Sequence, residues 1–284
     1  MIEFLDTTYS YRHATQAAVG PLNLVAHPGE ITCMIGPTSA GKSTLVKLLA
    51  GVLPTYQGEI RVCGRSLMEK KREYYQQIGV LFETPGYFSR LTLEENLRYF
   101  QGFYSQSTLN PAHLLEKLGF KAASQTFGQH FSKAMQQGLG VARALLHDPE
   151  VLILDDPSLH LDPEQLEALQ NLLLAEKGKG KTLFITTQHL ELAQLLADQL
   201  VFIEQGKITH VGPAEAVWEQ LCSPQVEVQL QTSQGLVVHR FSLLGLSQNR
   251  QFQQLLEDPQ LVSIHSLGSN VNQIFNPLQS QPDT

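Results

Sequence analysis

Several features that define membrane, secreted and metal-binding proteins are scarce in this 284-residue chain. Its longest apolar runs fall well short of the roughly 20 residues that a membrane-spanning helix needs, so we expect no transmembrane segment. The opening stretch MIEFLDTTYSYR has neither the basic nor the apolar region of a signal peptide, which predicts a cytosolic protein. The three cysteines, Cys33, Cys63 and Cys222, lack metal-ligand spacing and are interpreted as reduced packing residues.

Positive charge is scarce as well. The formal net charge is -7, whereas a general nucleic-acid binder carries a basic face, so nucleic acid is excluded as a general partner and only a local basic site stays open. Lys207 is the last lysine, and residues 222–284 are rich in glutamine. The chain also lacks internal repeats and heptads, which argues against a solenoid or a coiled coil.

Short apolar segments and amphipathic segments alternate along the first three quarters of the chain. Residues 31–35, ITCMI, have the composition of a buried strand, and a glycine-rich turn and the amphipathic residues 43–53 follow them. Residues 87–147 have helical periodicity, and apolar strands return at 151–154 and 183–186. This order predicts an α/β fold.

The glutamine-rich C-terminal region still has a regular pattern. VEVQLQ alternates as a strand does, and LVSIHSL is again strand-like. Between them, Phe252, Leu255 and Leu256 would share one face of a helix. The pattern predicts a small C-terminal α/β domain over residues 221–275, with a flexible tail over residues 276–284.

One glycine-rich stretch, GPTSAGKST, matches the pattern G-x-x-x-x-G-K-[ST] after a strand and at the start of a helix, where a phosphate-binding loop requires it. Successive backbone N–H groups and the helix dipole would face the phosphates. Lys42 would reach the β- and γ-phosphates, and Ser43 would offer its hydroxyl to Mg²⁺. The candidate nucleotide-binding residues of the loop are Gly36, Pro37, Thr38, Ser39, Ala40, Gly41, Lys42, Ser43 and Thr44. A chance glycine turn is the alternative.

Two adjacent carboxylates, Asp155 and Asp156, follow the apolar residues 151–154. Like charges at the end of a buried strand repel each other and lose hydration, so positive charge must compensate them. Asp155 has the position of the carboxylate that holds Mg²⁺, directly or through water. The metal and Lys42 would allow it to stay ionised.

Over about residues 1–215 the chain resembles the ATP-binding subunit of an ABC transporter. The resemblance is carried by these two motifs and by four further stretches. IGVLFETPGYFSRLTLEENL resembles the Q-loop stretch, and FSKAMQQGLGVARALLHDP resembles the signature. PSLHLDP resembles the D-loop, and ITTQHLELAQLLADQLVFIEQGKI resembles the switch region. The resemblance implies a P-loop ABC-ATPase fold over residues 1–220, with a mixed sheet core, an antiparallel β subdomain and a helical subdomain over about residues 87–147.

The resemblance also implies partners. In this family two subunits form a head-to-tail dimer, here a homodimer or a heterodimer, and ATP lies between the phosphate loop of one and the signature helix of the other. ATP hydrolysis with Mg²⁺ then drives transport through separate integral membrane permease subunits. Such a subunit would be cytoplasmic and peripheral on the inner face of the cell membrane. Residues 222–275 resemble the small C-terminal domain of ATPases that pair with exporter permeases, which favours export; a regulatory, a dimer-stabilising and a passive structural role stay open.

Further site residues follow from the same resemblance. Ser132 and the backbone N–H groups around Lys133 and Ala134 would bind the γ-phosphate of the partner's ATP at a helix N-terminus. Tyr11 lies where the family places an aromatic ring against adenine. Because Tyr9 is close by, ordinary packing at a strand edge is the alternative.

The segment after the Q-loop has two interpretations. LTLEENLRYF predicts a capped amphipathic helix, with Thr92 as N-cap and Glu95 three residues later. Tyr87 and Phe88 would either contact a permease helix or pack in the core, and the sequence does not choose between the two.

Four positions depart from the family pattern. Family members usually have Glu, as the general base or water-positioner, after the carboxylate that corresponds to Asp155, whereas this chain has Asp156, which is one methylene shorter. The switch histidine falls on Gln188, with His189 one place later, so the positive charge is lost. The Q-loop glutamine is Glu83, which could still meet Mg²⁺ through water, and a signature glycine is Ala134.

These departures lead to a hypothesis in which ATP binding is retained and hydrolysis, with Asp156, Gln188 and Glu83 as the catalytic residues, is slow. Ordinary family variation is one alternative. A degenerate, hydrolysis-impaired subunit that pairs with a competent ABC ATPase is another. A soluble ABC protein that acts on ribosomes or DNA would show tandem cassettes or a long coiled coil, and a P-loop kinase would have no reason to carry the signature and the D-loop.

Overall fold

The structure is a computed structural model of the chain. It describes residues 1–69, 72–105, 108–221, 225–232, 235–243, 246–256 and 258–267. The chain divides into two compact units, Met1–Ala214 and Glu215–Thr284, whereas the sequence predicted a division after residue 220. Cys222 and the predicted tail over residues 276–284 lie outside the described residues.

Strands and helices alternate along the chain as the sequence predicts. The strands of the first unit are β1 (Ile2–Tyr9), β2 (Val19–Ala26), β3 (Ile31–Ile35), β4 (Gln57–Val62), β5 (Arg65–Ser66), β6 (Ile78–Leu81), β7 (Val151–Asp155), β8 (Thr182–Thr187), β9 (Gln199–Glu204) and β10 (Lys207–Pro213). The helices of the first unit are α1 (Lys42–Leu49), α2 (Arg72–Gln77), α3 (Leu93–Gln101), α4 (Pro111–Lys117), α5 (Lys133–Leu145), α6 (Pro163–Gly178) and α7 (Leu190–Leu196), and α8 (Ala214–Leu221) begins at the last residue of that unit. The later elements are β11 (Gln225–Thr232), β12 (Gly235–Ser242), α9 (Arg250–Leu256) and β13 (Leu261–Leu267).

The first unit contains two sheets. An antiparallel sheet has the order β2-β1-β4-β5, and a larger sheet has the order β10-β9-β3-β8-β7-β6. In the larger sheet the strands from β9 to β6 run parallel, and β10 pairs antiparallel to β9. The predicted mixed sheet and antiparallel β subdomain are therefore confirmed. Because parallel strands end at a common edge, the residues that follow β3, β8, β7 and β6 lie along one edge of the sheet.

A single hydrophobic core joins the two sheets and helix α1. All five residues of β3 are buried, which is typical of a parallel strand covered on both faces. Phe4 of β1 packs on Phe184 of β8 with ring centroids 6.2 Å apart, and Leu45 and Leu48 of α1 belong to the same cluster. Burial of each such side chain stabilises the fold by about 1.5–3 kcal/mol. The core thus fixes α1, and the loop before it, against the sheet.

The predicted helical region contains α3, α4 and α5. The predicted cap of α3 is confirmed: Thr92 Oγ1 accepts from the backbone N of Glu95 at 3.2 Å, and the Glu95 carboxylate accepts from the backbone N of Thr92 at 2.8 Å. Asn110 caps α4 by accepting from the backbone N of Ala112 and of His113, and Pro111 is the first residue of that helix. Among the described residues, no helix combines the length and the apolarity that a membrane crossing demands.

The second unit contains an antiparallel sheet in the order β12-β11-β13 and helix α9. Its buried residues, Val226, Val228, Leu230 and Phe241, pack with Phe252 and Leu255 of α9. The predicted strand–helix–strand order was incomplete because it missed β12, in which Val237 and Val238 are adjacent and break the alternation of a strand. Leu256 is 43% exposed, so the predicted apolar face of α9 consists of Phe252 and Leu255.

Candidate nucleotide-binding and catalytic site

The phosphate loop lies between β3 and α1, and both of its glycines lie so close to neighbouring residues that a side chain would not fit. A Cβ on Gly36 would lie 2.2 Å from the backbone oxygen of Ile203. Gly41, the N-cap of α1, has φ 109°, and a Cβ there would lie 2.6 Å from Val19 Cγ1. No other residue type fits such a position without displacing the backbone. The loop is therefore held in its shape by the sheet behind it.

Lys42 is bound to the loop that it follows. Its Nζ donates to the carbonyl oxygens of Gly36 at 2.6 Å and Pro37 at 2.9 Å. Burial lowers the pKa of Lys42, and the nearby carboxylates of Asp156 and Asp155 raise it in part. The ammonium and the two carboxylates therefore lie close enough to interact.

Asp155 and Asp156 are both buried, with 4% and 9% of their surface exposed. Thr186 Oγ1 donates to Asp155 Oδ1, and Thr187 Oγ1 donates to Asp156 Oδ1 at 3.0 Å. Burial raises the pKa of Asp156, while the hydrogen bond from Thr187 lowers it. Each carboxylate thus has a hydroxyl partner on the adjacent parallel strand.

The backbone of Asp156 is turned out of the strand. Its φ of 48° lies in the left-handed region, which Asp tolerates better than most residues. Its N–H donates to the carbonyl oxygen of Thr186 at 2.8 Å, and its own carbonyl oxygen accepts from Gln137 Nε2 of α5 at 3.0 Å. These contacts fix the point at which the chain leaves β7.

The Q-loop and switch residues follow the neighbouring strands. Glu83, after β6, is exposed, and its charge raises the pKa of Lys42. Gln188, after β8, is exposed and has no hydrogen bond within the described part of the chain. His189 is the N-cap residue of α7, and the His189 imidazole lowers the pKa of Asp156.

Tyr11 lies beside the loop. Its Oη is 3.2 Å from Thr44 Oγ1, and its ring packs edge-to-face on Tyr9 with centroids 4.9 Å apart. A pocket of about 250 Å³ is lined by Tyr11, Ala18, Ser39, Gly41, Lys42, Ser43 and Thr44. The ring is 40% exposed, so it can both pack on Tyr9 and offer a surface to a base.

The signature residues begin helix α5. Ser132 caps it, with Oγ accepting from the backbone N of Met135 at 3.1 Å. Ser132 and Lys133 are exposed and Ala134 is half-buried. Within the ranges that the structure describes, no hydrogen bond or ion pair joins these residues to the phosphate loop.

Comparison with known proteins identifies the family. The model of the ABC transporter family matches residues 19–159. The fluoroquinolones export ATP-binding protein of Mycobacterium tuberculosis is 33% identical over 276 residues, which are 97% of this chain and 92% of that protein. The bacitracin transport ATP-binding protein BcrA of Bacillus licheniformis is 32% identical over 75% of this chain and 70% of its own length.

The chain belongs to the ABC transporter family.

The solved structure of an ATP-binding subunit of an ABC transporter supports the fold as well. It has a TM-score of 0.69 and 29% identity, and the match covers 78% of this chain and 92% of that one. The predicted P-loop ABC-ATPase fold is confirmed, and so is the prediction that the chain is the ATP-binding subunit of an ABC transporter.

Three polar residues of this ABC subunit were missed by the sequence analysis: Thr186, Thr187 and Gln137. They hold the two carboxylates and the backbone of Asp156. The sequence did contain a pattern for the threonines, because two adjacent hydroxyl residues end the apolar strand β8. That strand pairs in parallel with β7, which ends at the two aspartates. For Gln137 the sequence contained no such pattern, because a single glutamine in a helix is not distinctive.

A second concave region of the subunit is the aromatic groove, with a volume of about 550 Å³. Its aromatic lining residues are Tyr75, Phe82, Phe100, Phe103 and Tyr104. Arg143 also lines it, with its guanidinium 4.9 Å from the centre of the Phe100 ring.

The two residues with open interpretations lie in different environments. Phe88 is 42% exposed and packs on Tyr99 with ring centroids 4.5 Å apart. Tyr87 is half-buried against Phe131, with centroids 5.1 Å apart. Tyr87 therefore packs inside the helical region, and Phe88 presents its ring at the surface.

Proposed function

We propose that this ABC subunit binds ATP with Mg²⁺ and hydrolyses it in a head-to-tail dimer, and that hydrolysis drives export through a separate membrane permease. The observation that carries this proposal is the common edge of the large sheet. Three neighbouring segments end there. The phosphate loop with Lys42 follows β3, Asp155 and Asp156 lie at the end of β7, and Glu83 follows β6. Ligands of α/β sheets bind at this edge.

The oxygen donors at this edge fit Mg²⁺. Ser43, Asp155 and Glu83 would hold the ion, directly or through water. Within the described residues, no group of three or more His, Cys, Asp or Glu side chains is arranged to hold a metal ion. Mg²⁺ takes several of its ligands from water and phosphate oxygens, so one or two protein carboxylates suffice once ATP is bound. When bound, the ion neutralises charge on the phosphates.

The residues of the chain have distinct roles in hydrolysis. Backbone N–H groups of the loop and the N-terminus of α1 would hold the phosphates, and Lys42 would exchange its carbonyl partners for phosphate oxygens. Asp156 would accept a proton from the attacking water or orient that water. Gln188 would hydrogen-bond a phosphate oxygen without adding charge.

We expect hydrolysis to be slow. The Asp156 carboxylate is retracted by more than about 1 Å relative to a glutamate, a large fraction of hydrogen-bond reach. Gln188 lacks the charge of a histidine, and Ala134 carries a Cβ where phosphate must approach closely. The relatives give no support to the alternative of a subunit that only holds ATP, so slow turnover and not its absence is proposed.

The dimer would be completed by the signature of a second subunit, identical or related. The exposed N-terminus of α5, with the Ser132 hydroxyl and the N–H groups near Lys133 and Ala134, offers donors that a γ-phosphate would accept. Tyr11 would stack on adenine. ATP would favour the closed dimer because it contacts both halves.

The permease would dock on the aromatic groove and on Phe88 beside it. Exposed aromatic rings are typical of interfaces, and an isolated soluble domain gains nothing from exposing them. Docking there would place the subunit on the inner face of the cell membrane. Export is favoured over import because the Mycobacterium relative, matched over nearly its whole length, is named as an export ATP-binding protein.

Phosphate release by the full-length chain tests the proposal. We expect Mg²⁺-dependent release from ATP by the wild-type chain, and a loss of about 100-fold or more in Asp156→Asn with ATP affinity retained. Asp258→Asn, which makes the same change outside the site, should release phosphate at the wild-type rate. Undiminished release by Asp156→Asn, or no release by the wild type with or without its permease, would overturn the proposal.

A further inference from the structure

Thr187 lies at the end of β8 and is completely buried. Its Oγ1 accepts a hydrogen bond from the backbone N of His189 at 2.9 Å and lies 3.0 Å from Asp156 Oδ1. A hydroxyl has one proton to donate, and the His189 N–H occupies a lone pair of the oxygen. An ionised carboxylate can only accept, so the proton of Thr187 goes to Asp156 Oδ1 while the Thr187 oxygen accepts from the His189 N–H.

Because of this hydrogen bond, the two carboxylate oxygens of Asp156 have different surroundings. Oδ1 is engaged by Thr187, whereas Oδ2 has no hydrogen bond to any residue that the structure describes. The backbone on either side is already fixed by Thr186 and Gln137. The side-chain torsions are the remaining freedom of Asp156, and the contact with Thr187 determines them.

Orientation matters more for an aspartate than for a glutamate. A glutamate has one more side-chain torsion than an aspartate, so it can bring an oxygen to the water in several ways. The shorter aspartate reaches the water only if its free oxygen already points toward it. A misplacement of about 1 Å in an active site can lower a rate by about 100-fold. A fixed carboxylate partner is therefore of most use where the carboxylate is short.

We propose that Thr187 is a positioning residue, which binds Asp156 Oδ1 and so directs Oδ2 toward the attacking water. The proposal rests on the proposed role of Asp156 in hydrolysis. It also connects Asp156 to the switch region, because the same hydroxyl accepts from the backbone N–H of His189, at the N-cap position of α7.

The alternative is that Thr187 only satisfies buried polar groups, as Thr7 does in β1. Thr7 is equally buried and donates to the carbonyl oxygen of Glu59 at 3.0 Å, so Thr7→Val is a matched control. The full-length chain is compared with Thr187→Val, Thr187→Ser, Thr7→Val and Asp156→Asn. Steady-state phosphate release gives kcat and KM for ATP, and thermal unfolding reports the fold of each variant.

We expect Thr187→Val to lower kcat by about tenfold or more and to leave KM for ATP within about twofold of the wild-type value. Thr187→Ser keeps the hydroxyl and should restore kcat to within about twofold, and Thr7→Val should not change it. A kcat for Thr187→Val equal to that of the wild type, while Asp156→Asn is inactive, would overturn the proposal. So would a Thr187→Ser variant as slow as Thr187→Val.

Two further variants keep the test decisive. If Thr187→Val does not fold, Thr187→Cys has a similar shape and a weaker donor, and its kcat should fall clearly below that of Thr187→Ser. In an Asp156→Asn background, Thr187→Val should cause little further loss, because the two residues act as one unit. A full multiplicative loss there would overturn the proposal. An active Asp156→Asn would instead overturn the proposed function itself.

Discussion

The phosphate loop and the residues that follow β7 and β8 share one edge of one sheet, but they are built in different ways. The shape of the loop depends on its backbone: Gly36 lies so close to Ile203, and Gly41 so close to Ala18 and Val19, that a Cβ does not fit at either glycine. The other part depends on side chains, and there Asp156 and Gln188 replace a longer acid and a cation of the family pattern. The proposed binding site, made of amides, leaves little room for substitution, whereas the proposed hydrolytic site, made of side chains, can be slowed by small changes.

The largest effect is expected where the loop is held by its surroundings. Gly41→Ala would place a Cβ 2.6 Å from Val19 Cγ1 at φ 109°, so the loop must distort. We expect ATP affinity to fall by about 100-fold or more, since the whole cradle of N–H donors is displaced. Nucleotide titration by fluorescence measures it.

The control for this change is Gly178→Ala in α6, where no atom lies within 4 Å of the added Cβ. It should bind ATP as the wild type does. Equal affinities for all three proteins would show that the loop does not bind the nucleotide through its backbone.

The next effect concerns the dimer. Ser132→Ala removes the cap of α5 and the hydroxyl that we propose binds the partner's ATP, so ATP-driven dimerisation should weaken by about tenfold. Asn110→Ala removes a comparable cap from α4, which costs about 1 kcal/mol of stability in each case. Light scattering with saturating ATP over a range of protein concentrations separates the two: only Ser132→Ala should need about tenfold more protein to dimerise. Two variants that dimerise alike would contradict the role of the signature helix.

A smaller gain is expected from restoring charge to the switch. A hydrogen bond from a charged donor is stronger than one from a neutral donor by about 1 kcal/mol, so Gln188→His should raise kcat by roughly fivefold. Single-turnover phosphate release at a pH below the histidine pKa of about 6.5 gives the clearest reading. A rate unchanged at low pH would contradict the expectation that the missing charge at position 188 slows hydrolysis.

The smallest effect lies outside the site and concerns stability alone. The side chain of Lys181 donates to Asp148, and this hydrogen bond lowers the pKa of Asp148 below its ordinary value of 3.8. The pair therefore stabilises the fold above pH 3.8, and this contribution is lost as the pH falls through the lowered pKa.

Asp148→Asn should then reduce stability at pH 7 by less than about 1 kcal/mol, because the pair is partly exposed, and by nothing at a pH below the lowered pKa. Thermal unfolding at the two pH values measures the difference. Phosphate release should not change. A destabilisation of equal size at both pH values would show that charge is not its cause.

The sequence predicted those parts of the molecule that depend on local pattern. The phosphate loop is contiguous, β3 is a run of apolar residues, and the cap of α3 is formed by Thr92 and Glu95 three residues apart. It did not predict the contacts between strands. Thr187 lies 31 residues from Asp156 in the chain, and only the parallel pairing of β7 with β8 brings the two together.

Other features escaped prediction for comparable reasons. Strand β12 lacks the alternation of a half-buried strand, so its pairing with β11 is visible only in the fold. The left-handed conformation of Asp156 is stabilised by the carbonyl oxygen of Thr186 and the side chain of Gln137, which lie far from it in the sequence.

The most direct test of the contrast between binding and hydrolysis is Asp156→Glu, measured in one sample for ATP affinity and for phosphate release. The account predicts an unchanged affinity and a faster release, because the added methylene brings the carboxylate to the water while the phosphate loop is untouched. An Asp156→Glu variant that releases phosphate no faster than the wild type, or that binds ATP differently, would contradict it.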